Sequence, residues 1–322
     1  MRALVVSSLA ADFAGCALAD LPEPTRAPGQ VLIRVRAASL NFPDLLMTEG
    51  EYQLKPDLPF VGGMEVAGEV VEADADSGFV IRDAVVCGTR LGGFAEFVVA
   101  DARAVRTMPA NLDFATAASV GAAYNTAYVA LVRCARVQAG EWVLVHGATG
   151  GVGLAAVDLA KALGCRVIAT SRSAEKLAVV AGEYAVDAVL PAPGFRDAVK
   201  NLTGGGADVI FDPVGGEIFD ESTRCIAFGG RLLVIGFTSG RIASVATNIP
   251  LIKGFSVIGV RAGEYGRRFP DKGRVNLDAI WTLASEGKIR PRVDSRYPLA
   301  DWRSAFEAMR DSRMIGKIVI EP

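Results

Sequence analysis

The sequence predicts an α/β protein of two units: a doubly wound parallel sheet with helices on both faces, and a β-rich unit. Three observations carry this. Residues 142–260 alternate short apolar runs with amphipathic stretches of helical period, the pattern of a parallel sheet covered on both sides. Residues 1 to about 110 hold short β-type runs separated by Pro, Gly and Asp, as compact, largely antiparallel strands do. The length of 322 residues corresponds to about two domains. A composition 51% hydrophobic and 22% charged is that of a chain able to bury a core.

Element by element, strands are expected over 31–37, 66–72, 84–87 and 97–99. From 114 to 134 the chain turns Ala-rich, which favours helix and close packing. The alternation then reads strand 142–146, helix 151–163, strand 166–170, helix 174–182, strand 188–190 and helix 195–202. It continues with strand 209–211, helix 217–228, strand 231–235 and strand 256–260. After about 265 come a helix near 275–286, a loop over 289–297, a helix near 300–311 and a closing strand over 317–320. This tail is too short for a third domain, so it is expected to complete the first; the divisions fall at 1–120, 121–262 and 263–322.

Several function classes are disfavoured. With 34 basic and 36 acidic residues the formal charge is −2, so no global field draws a nucleic-acid partner. Cys16, Cys87, Cys134, Cys165 and Cys225 form no CxxC pair, which argues against a disulfide framework or zinc ribbon and points to a reducing, cytoplasmic setting. No apolar run reaches the ~20 residues that cross a bilayer, so no membrane association is expected. Met1-Arg2, the apolar stretch after it and Ala17-Leu18-Ala19 imitate a secretory leader, but Asp12 interrupts the stretch and residues 2–7 read as a first strand.

The strongest motif is Val143-Leu144-Val145-His146-Gly147-Ala148-Thr149-Gly150-Gly151-Val152-Gly153, at a predicted strand-to-helix turn. Gly150 lets backbone approach a pyrophosphate, Gly153 lets helix and strand pack closely, and the amides from Thr149 through Gly151 and Val152 can face the anion. Ala148 stands where the first glycine usually sits, so the run reads AxGxxG. Its strand–turn–helix setting among further βα units favours dinucleotide binding over a plain turn. Where an acid about 20 residues on would take the ribose 2′-OH of NAD, the chain has Thr170-Ser171-Arg172-Ser173, with Lys176 a turn later. Arg172 can pair with a 2′-phosphate, Ser171 and Lys176 adding donors, so NADPH is the expected cofactor. Two more loops at strand ends, Phe211-Asp212-Pro213-Val214-Gly215-Gly216 and Ile235-Gly236-Phe237-Thr238-Ser239-Gly240, leave room for ribose and nicotinamide.

Further marks are Leu40-Asn41-Phe42-Pro43-Asp44, Gly50-Glu51-Tyr52, Leu58-Pro59-Phe60, Gly63-Met64-Glu65-Val66-Ala67-Gly68, Thr126-Ala127-Tyr128, Gly259-Val260-Arg261 and Gly316-Lys317. Together with the AxGxxG turn they resemble the medium-chain dehydrogenase/reductase superfamily, specifically its zinc-independent NADPH:quinone oxidoreductase branch, which includes the ζ-crystallin-like proteins. The resemblance spans nearly the whole chain. It implies a GroES-like catalytic domain built from both chain ends around a Rossmann domain, usually as a homodimer. It places Asn41, Thr126 and Val260 among the cofactor contacts, and Asn41, Asp44, Tyr52 and Tyr128 around the substrate. Gly62-Gly63-Met64 departs from the Pro-Gly usual before the family's variable position.

Zinc-dependent members of the superfamily hold metal with Cys, His and Cys at places that here look to be Asn41, Met64 and Ala122, not a zinc set. The single histidine, His146, lies in the cofactor strand, where a local hydrogen bond is the simpler role. Without a Lewis acid, alcohol oxidation loses its main support, whereas a conjugated acceptor needs less help. The resemblance thus implies hydride transfer from NADPH to a quinone, enone or alkenal. Asn41 would donate to the developing oxyanion, Tyr52 would contact substrate or supply a proton, Asp44 would orient a neighbour, and Thr126 and Tyr128 would brace the cofactor. Two alternatives stand beside it: an enoyl-thioester reductase using Arg261, Arg267 and Arg268 for coenzyme A phosphates, and a non-enzymatic crystallin-like nucleotide- or RNA-binding protein. A short-chain dehydrogenase is disfavoured, since no Tyr is followed four residues later by Lys.

Overall fold

The computed structural model describes residues 1–322, and these divide into one unit of Met1–Ala122 with Pro291–Pro322 and a second of Ala123–Arg290. The first unit opens with β1 (Arg2–Val6) and β2 (Cys16–Asp20), followed by β3 (Gln30–Ser39), α1 (Phe42–Thr48) and the short β4 (Phe60–Val61). Then come β5 (Glu65–Glu72), β6 (Ala84–Gly88), β7 (Phe97–Asp101), β8 (Val105–Thr107), α2 (Phe114–Ala118) and the first turn of α3 (Gly121–Tyr128). In the second unit follow β9 (Trp142–Val145), α4 (Gly151–Ala162), β10 (Arg166–Ser171), α5 (Ala174–Tyr184), β11 (Ala188–Pro191), α6 (Arg196–Thr203), β12 (Ala207–Asp212) and α7 (Gly216–Ser222). That unit ends with β13 (Ile226–Val234), α8 (Asn248–Lys253), β14 (Ser256–Gly259), α9 (Ala262–Arg268) and α10 (Pro270–Ser285), and the chain returns through β15 (Val293–Pro298), α11 (Trp302–Arg310) and β16 (Lys317–Glu321).

In the first unit the larger sheet runs β15-β16-β3-β5-β6-β8, with β7 also on β3, and a smaller sheet runs β2-β1-β4. The C-terminal strand is integral to it, since β16 pairs antiparallel with β3 through Val319 and Ser39 and parallel with β15. Helix α11 buries Trp302, Ala305, Phe306 and Met309, the spacing of one helix face. Phe306 sits edge-on to Phe13, Phe94 and Trp302 with ring centroids 5.3, 5.8 and 5.5 Å away, so both chain ends contribute to one aromatic core.

The second unit carries a parallel sheet in the order β11-β10-β9-β12-β13-β14. Counted within the unit this is 3-2-1-4-5-6, the doubly wound order, whose direction reverses between β9 and β12. The loops after these two strands flank the switch point: a Cβ on Gly147 would lie 3.4 Å from Pro213.

Four expectations change. The second unit ends at Arg290, not at 262. Helix α10 buries Ile280 and Ala284, Asn276 accepts from Arg133 Nε at 2.7 Å, and Arg290 is held by Asp158 and Tyr184, so the chain stays anchored there. Within the stretch read as a loop over 289–297, the residues from Val293 onward form β15, because β16 offers them a pairing edge. The helix read over 217–228 stops at Ser222, and Ile226 already belongs to β13, in which Gly229 takes φ +76° and permits the irregular register against β12. The Ala-rich stretch breaks after Ala118 and, beyond α3, widens into a π-helical segment over Val129–Ala135 closed by Arg136 at φ +52°.

Candidate active-site residues

In the second unit, the glycine turn is built as its spacing requires. A Cβ on Gly153 would lie 2.1 Å from the Gly147 carbonyl oxygen, so only glycine permits this approach of helix to strand. Gly150, extended at φ −87°, caps α4, and the first helical bond runs from Leu154 N to Gly150 O at 2.8 Å. The amides of Gly151, Val152 and Gly153 therefore precede the helical ladder and fit a phosphate.

His146, directly before this turn, is fully buried and bridges β10 and α7. Its Nδ1 and Nε2 lie 2.8 Å from Thr170 Oγ1 and 2.8 Å from Ser222 Oγ. Ser222 donates onward to Ile218 O at 2.6 Å, so it accepts from Nε2–H, and Nδ1 accepts the Thr170 hydroxyl proton. Burial pushes the imidazole down to about 3, leaving it neutral with both nitrogens occupied.

At the end of β10, the Ser171 hydroxyl lies 3.2 Å from Thr149 Oγ1 and accepts from Ser173 N at 3.3 Å, tying that strand end to the glycine turn. Arg172 beside it is exposed and makes no hydrogen bond or ion pair, so its guanidinium is available to an anion; Lys176 stands in the first turn of α5, half-buried. At the end of β12, Asp212 turns inward. Its Oδ1 accepts from Val214 N at 2.8 Å and Gly215 N at 2.9 Å, and burial raises its carboxyl above the usual range. Asp212 thus shapes the loop, while Val214 and Gly215 line it. Gly215 and Gly216 take φ +70° and +58°, and the Gly236–Ser239 loop docks on this one through Thr238 N to Pro213 O and Ser239 N to Val214 O. Phe237 is partly exposed on that second loop, and Val260 follows β14. Thr126 and Tyr128 lie on α3, half-buried, with the Arg133 guanidinium 5.9 Å from the Tyr128 ring.

In the first unit, Asn41, Asp44, Glu65 and Lys317 form one buried polar cluster. Lys317 Nζ donates to Leu40 O, Asn41 Oδ1 and Glu65 Oε1 at 3.0, 2.6 and 3.2 Å. Asn41 Nδ2 donates to Ser39 O at 3.2 Å and Glu65 Oε1 at 3.0 Å, while Glu65 Oε2 accepts from Ala122 N at 2.7 Å. Asp44 accepts from Asn41 N at 2.8 Å and Gly63 N at 3.2 Å. Burial pushes its carboxyl up to about 7, although the Asn41 and Gly63 amides and the Lys317 cation pull the other way. Both amide hydrogens of Asn41 are therefore spent inside the protein, and the oxyanion donation expected of them is not open to it in this arrangement. Tyr52, half-buried against the core, keeps a hydroxyl with no partner in the protein.

The zinc positions hold an amide, a thioether and a methyl at Asn41, Met64 and Ala122, which do not fit that metal. Nowhere in the chain do three His, Cys, Asp or Glu side chains gather as a ligand set. Glu65 and Lys317 had no functional signal beyond their place in family-like motifs. The detectable hint was a lysine directly before the buried run Ile318-Val319-Ile320.

Residues 27–110 match the alcohol dehydrogenase GroES-like domain family and residues 151–273 the zinc-binding dehydrogenase family. The chain is 38% identical over 299 residues to the quinone oxidoreductase-like protein 2 homolog of Nematostella vectensis, covering 90% of this chain and 81% of that protein. It is 33% identical over 307 residues to the quinone oxidoreductase of Homo sapiens, covering 94% and 92%. The quinone oxidoreductase of Thermus thermophilus, solved also in complex with NADPH, is similar with a TM-score of 0.87 at 30% identity, covering 100% of both chains.

Proposed function

Since the chain belongs to the zinc-independent quinone oxidoreductase branch of the medium-chain dehydrogenase/reductase superfamily, we propose that this oxidoreductase reduces a quinone or a related enone or alkenal with NADPH. The observation that carries the cofactor choice is the unpaired Arg172, where an NAD site would hold a carboxylate, at the strand next to an intact glycine turn. When bound, the cofactor supplies a hydride from its nicotinamide ring. The amides of Gly151, Val152 and Gly153 hold its pyrophosphate, and Arg172 with Ser171 and Lys176 holds the 2′-phosphate. Thr149, Val214, Gly215, Gly236, Phe237, Ser239 and Val260 supply the remaining walls, with Thr126 on α3. Tyr52, whose hydroxyl is free, contacts the substrate carbonyl and donates the proton; Asn41, Asp44 and Tyr128 shape the substrate environment.

NADPH oxidation measured against 1,4-benzoquinone, 9,10-phenanthrenequinone, a simple alkenal and crotonyl-coenzyme A tests this reading. Turnover of the quinones with NADPH preferred over NADH is expected; turnover of crotonyl-coenzyme A alone would replace the reading with a thioester reductase. Of the three arginines that alternative uses, Arg267 and Arg268 are paired with Glu264, at 3.0 and 2.8 Å, which favours the quinone reading, while Arg261 is exposed.

The protein acts as a homodimer in this reading, joined along β14. That strand ends the sheet, carries no charged residue, and is flanked by Phe228, Leu251 and Ile252, which are 88, 81 and 74% exposed. An uncharged edge beside an apolar patch is satisfied by a second copy of itself related by a two-fold axis. No helix is long and apolar enough to cross a membrane. The five free cysteines support a cytoplasmic, reducing location.

A further inference from the structure

Strand β16 begins with a charge where its next three residues are wholly aliphatic and buried. The Lys317 side chain is 6% exposed and that of Glu65 5%, and their nitrogen and oxygen are 3.2 Å apart. A buried ion pair is weak evidence for stability, because hydrophobic residues of similar volume commonly replace one without loss. Geometry is what this pair adds. All three ammonium hydrogens are used, on Leu40 O, Asn41 Oδ1 and Glu65 Oε1, and this sets which way the Asn41 amide faces. The other oxygen of Glu65 takes the Ala122 amide in the first turn of α3. Asn41 immediately precedes α1, and its backbone is bonded in both directions to Asp44. One cation–anion pair thus ties together the end of β3, the start of α1, the start of β5 and the start of α3.

We propose that Lys317 and Glu65 are positioning residues for the reduction: acting through Asn41 they fix the root of α1, which leads to Tyr52, and through the Glu65–Ala122 contact the root of α3, which carries Thr126 and Tyr128. The proposal rests on the quinone-reductase reading. Neither residue touches a reacting atom, so its mark is a loss in kcat without a matching loss of cofactor binding.

The test uses the full-length protein with NADPH and 9,10-phenanthrenequinone, comparing wild type with the double variant Lys317→Met/Glu65→Gln, which removes both charges together. Lys317→Met alone would leave Glu65 buried and uncompensated. The double variant is expected to melt cooperatively, to bind NADPH within about twofold of wild type by fluorescence titration, and to lose about 10- to 100-fold in kcat. In an Asn41→Ala background the same pair of changes is expected to cost clearly less further kcat than in wild type, because the route through Asn41 is gone and only the Glu65–Ala122 contact is left to lose. A double variant with kcat within about twofold of wild type overturns the proposal, as does an additive loss in the Asn41→Ala background. Loss of cooperative melting or of NADPH binding in step with activity also overturns it, since that marks a merely structural pair. Absence of quinone turnover by the wild type, with NADPH still bound, would bring down the reductase reading itself and with it the proposal.

Discussion

Asp44 gives the first unit a pH dependence opposite in sign to that of a salt-bridged acid. Its folded pKa of about 7 stands above the ordinary 3.8, so folding takes up a proton between these values. The stability it contributes is fully present below about pH 4 and is lost as pH rises through about 7. At about 1.4 kcal/mol per unit, the whole effect is at most a few kcal/mol. Urea unfolding of wild type and Asp44→Asn at pH 5 and pH 8 is expected to show a smaller fall across this interval in the variant. An unchanged fall would assign the effect to another group. Arg172→Ala, in contrast, is expected to leave folding intact and raise the NADPH KM by about 1–3 kcal/mol equivalent while sparing NADH. Steady-state kinetics with both cofactors checks this, and equal losses would count against a phosphate contact. Arg172 was legible because a missing acid and a gained base fall at a set distance from the glycine turn. The Lys317–Glu65 pair was not, because its members are 252 residues apart and meet only through sheet pairing.

At the level of elements, the β9–α4 turn separates two uses of glycine. Gly153 is required by packing, since its Cβ would meet the Gly147 oxygen at 2.1 Å, whereas a Cβ on Gly150 would stand 3.5 Å from that oxygen. Gly153→Ala is therefore expected to lower Tm, at a cost of about 1–3 kcal/mol for the forced shift. Gly150→Ala should keep Tm within a degree or two yet weaken NADPH binding, because its methyl intrudes only on the pyrophosphate. Thermal melts with and without NADPH separate the two. The βα units from β9 to α6 could be read from the chain because each alternation of period is bounded by its own turn. The stretch over 217–228 misled, since a short helix and the first residues of a strand together imitate one helical period until Cys225 and Ile226 are seen packed into the sheet core.

For the whole molecule, the edge strand β14 carries the prediction. Leu251→Asp/Ile252→Asp is expected to convert a dimer into a monomer in light scattering coupled to size exclusion, with each unit still folded; a wild-type monomer would remove the homodimer from the proposal. Residue order alone is enough for the α/β class, the glycine turn and the basic replacement of the NAD acid. All of these are local in chain order, written in period, spacing and residue type. Only the tertiary structure decided that α10 stays with the second unit, that Asp212 folds its own loop, and that Asn41 spends both amide hydrogens on buried partners. Those outcomes depend on which distant groups meet in a dry interior, where every donor must find an acceptor, and no local pattern encodes that pairing.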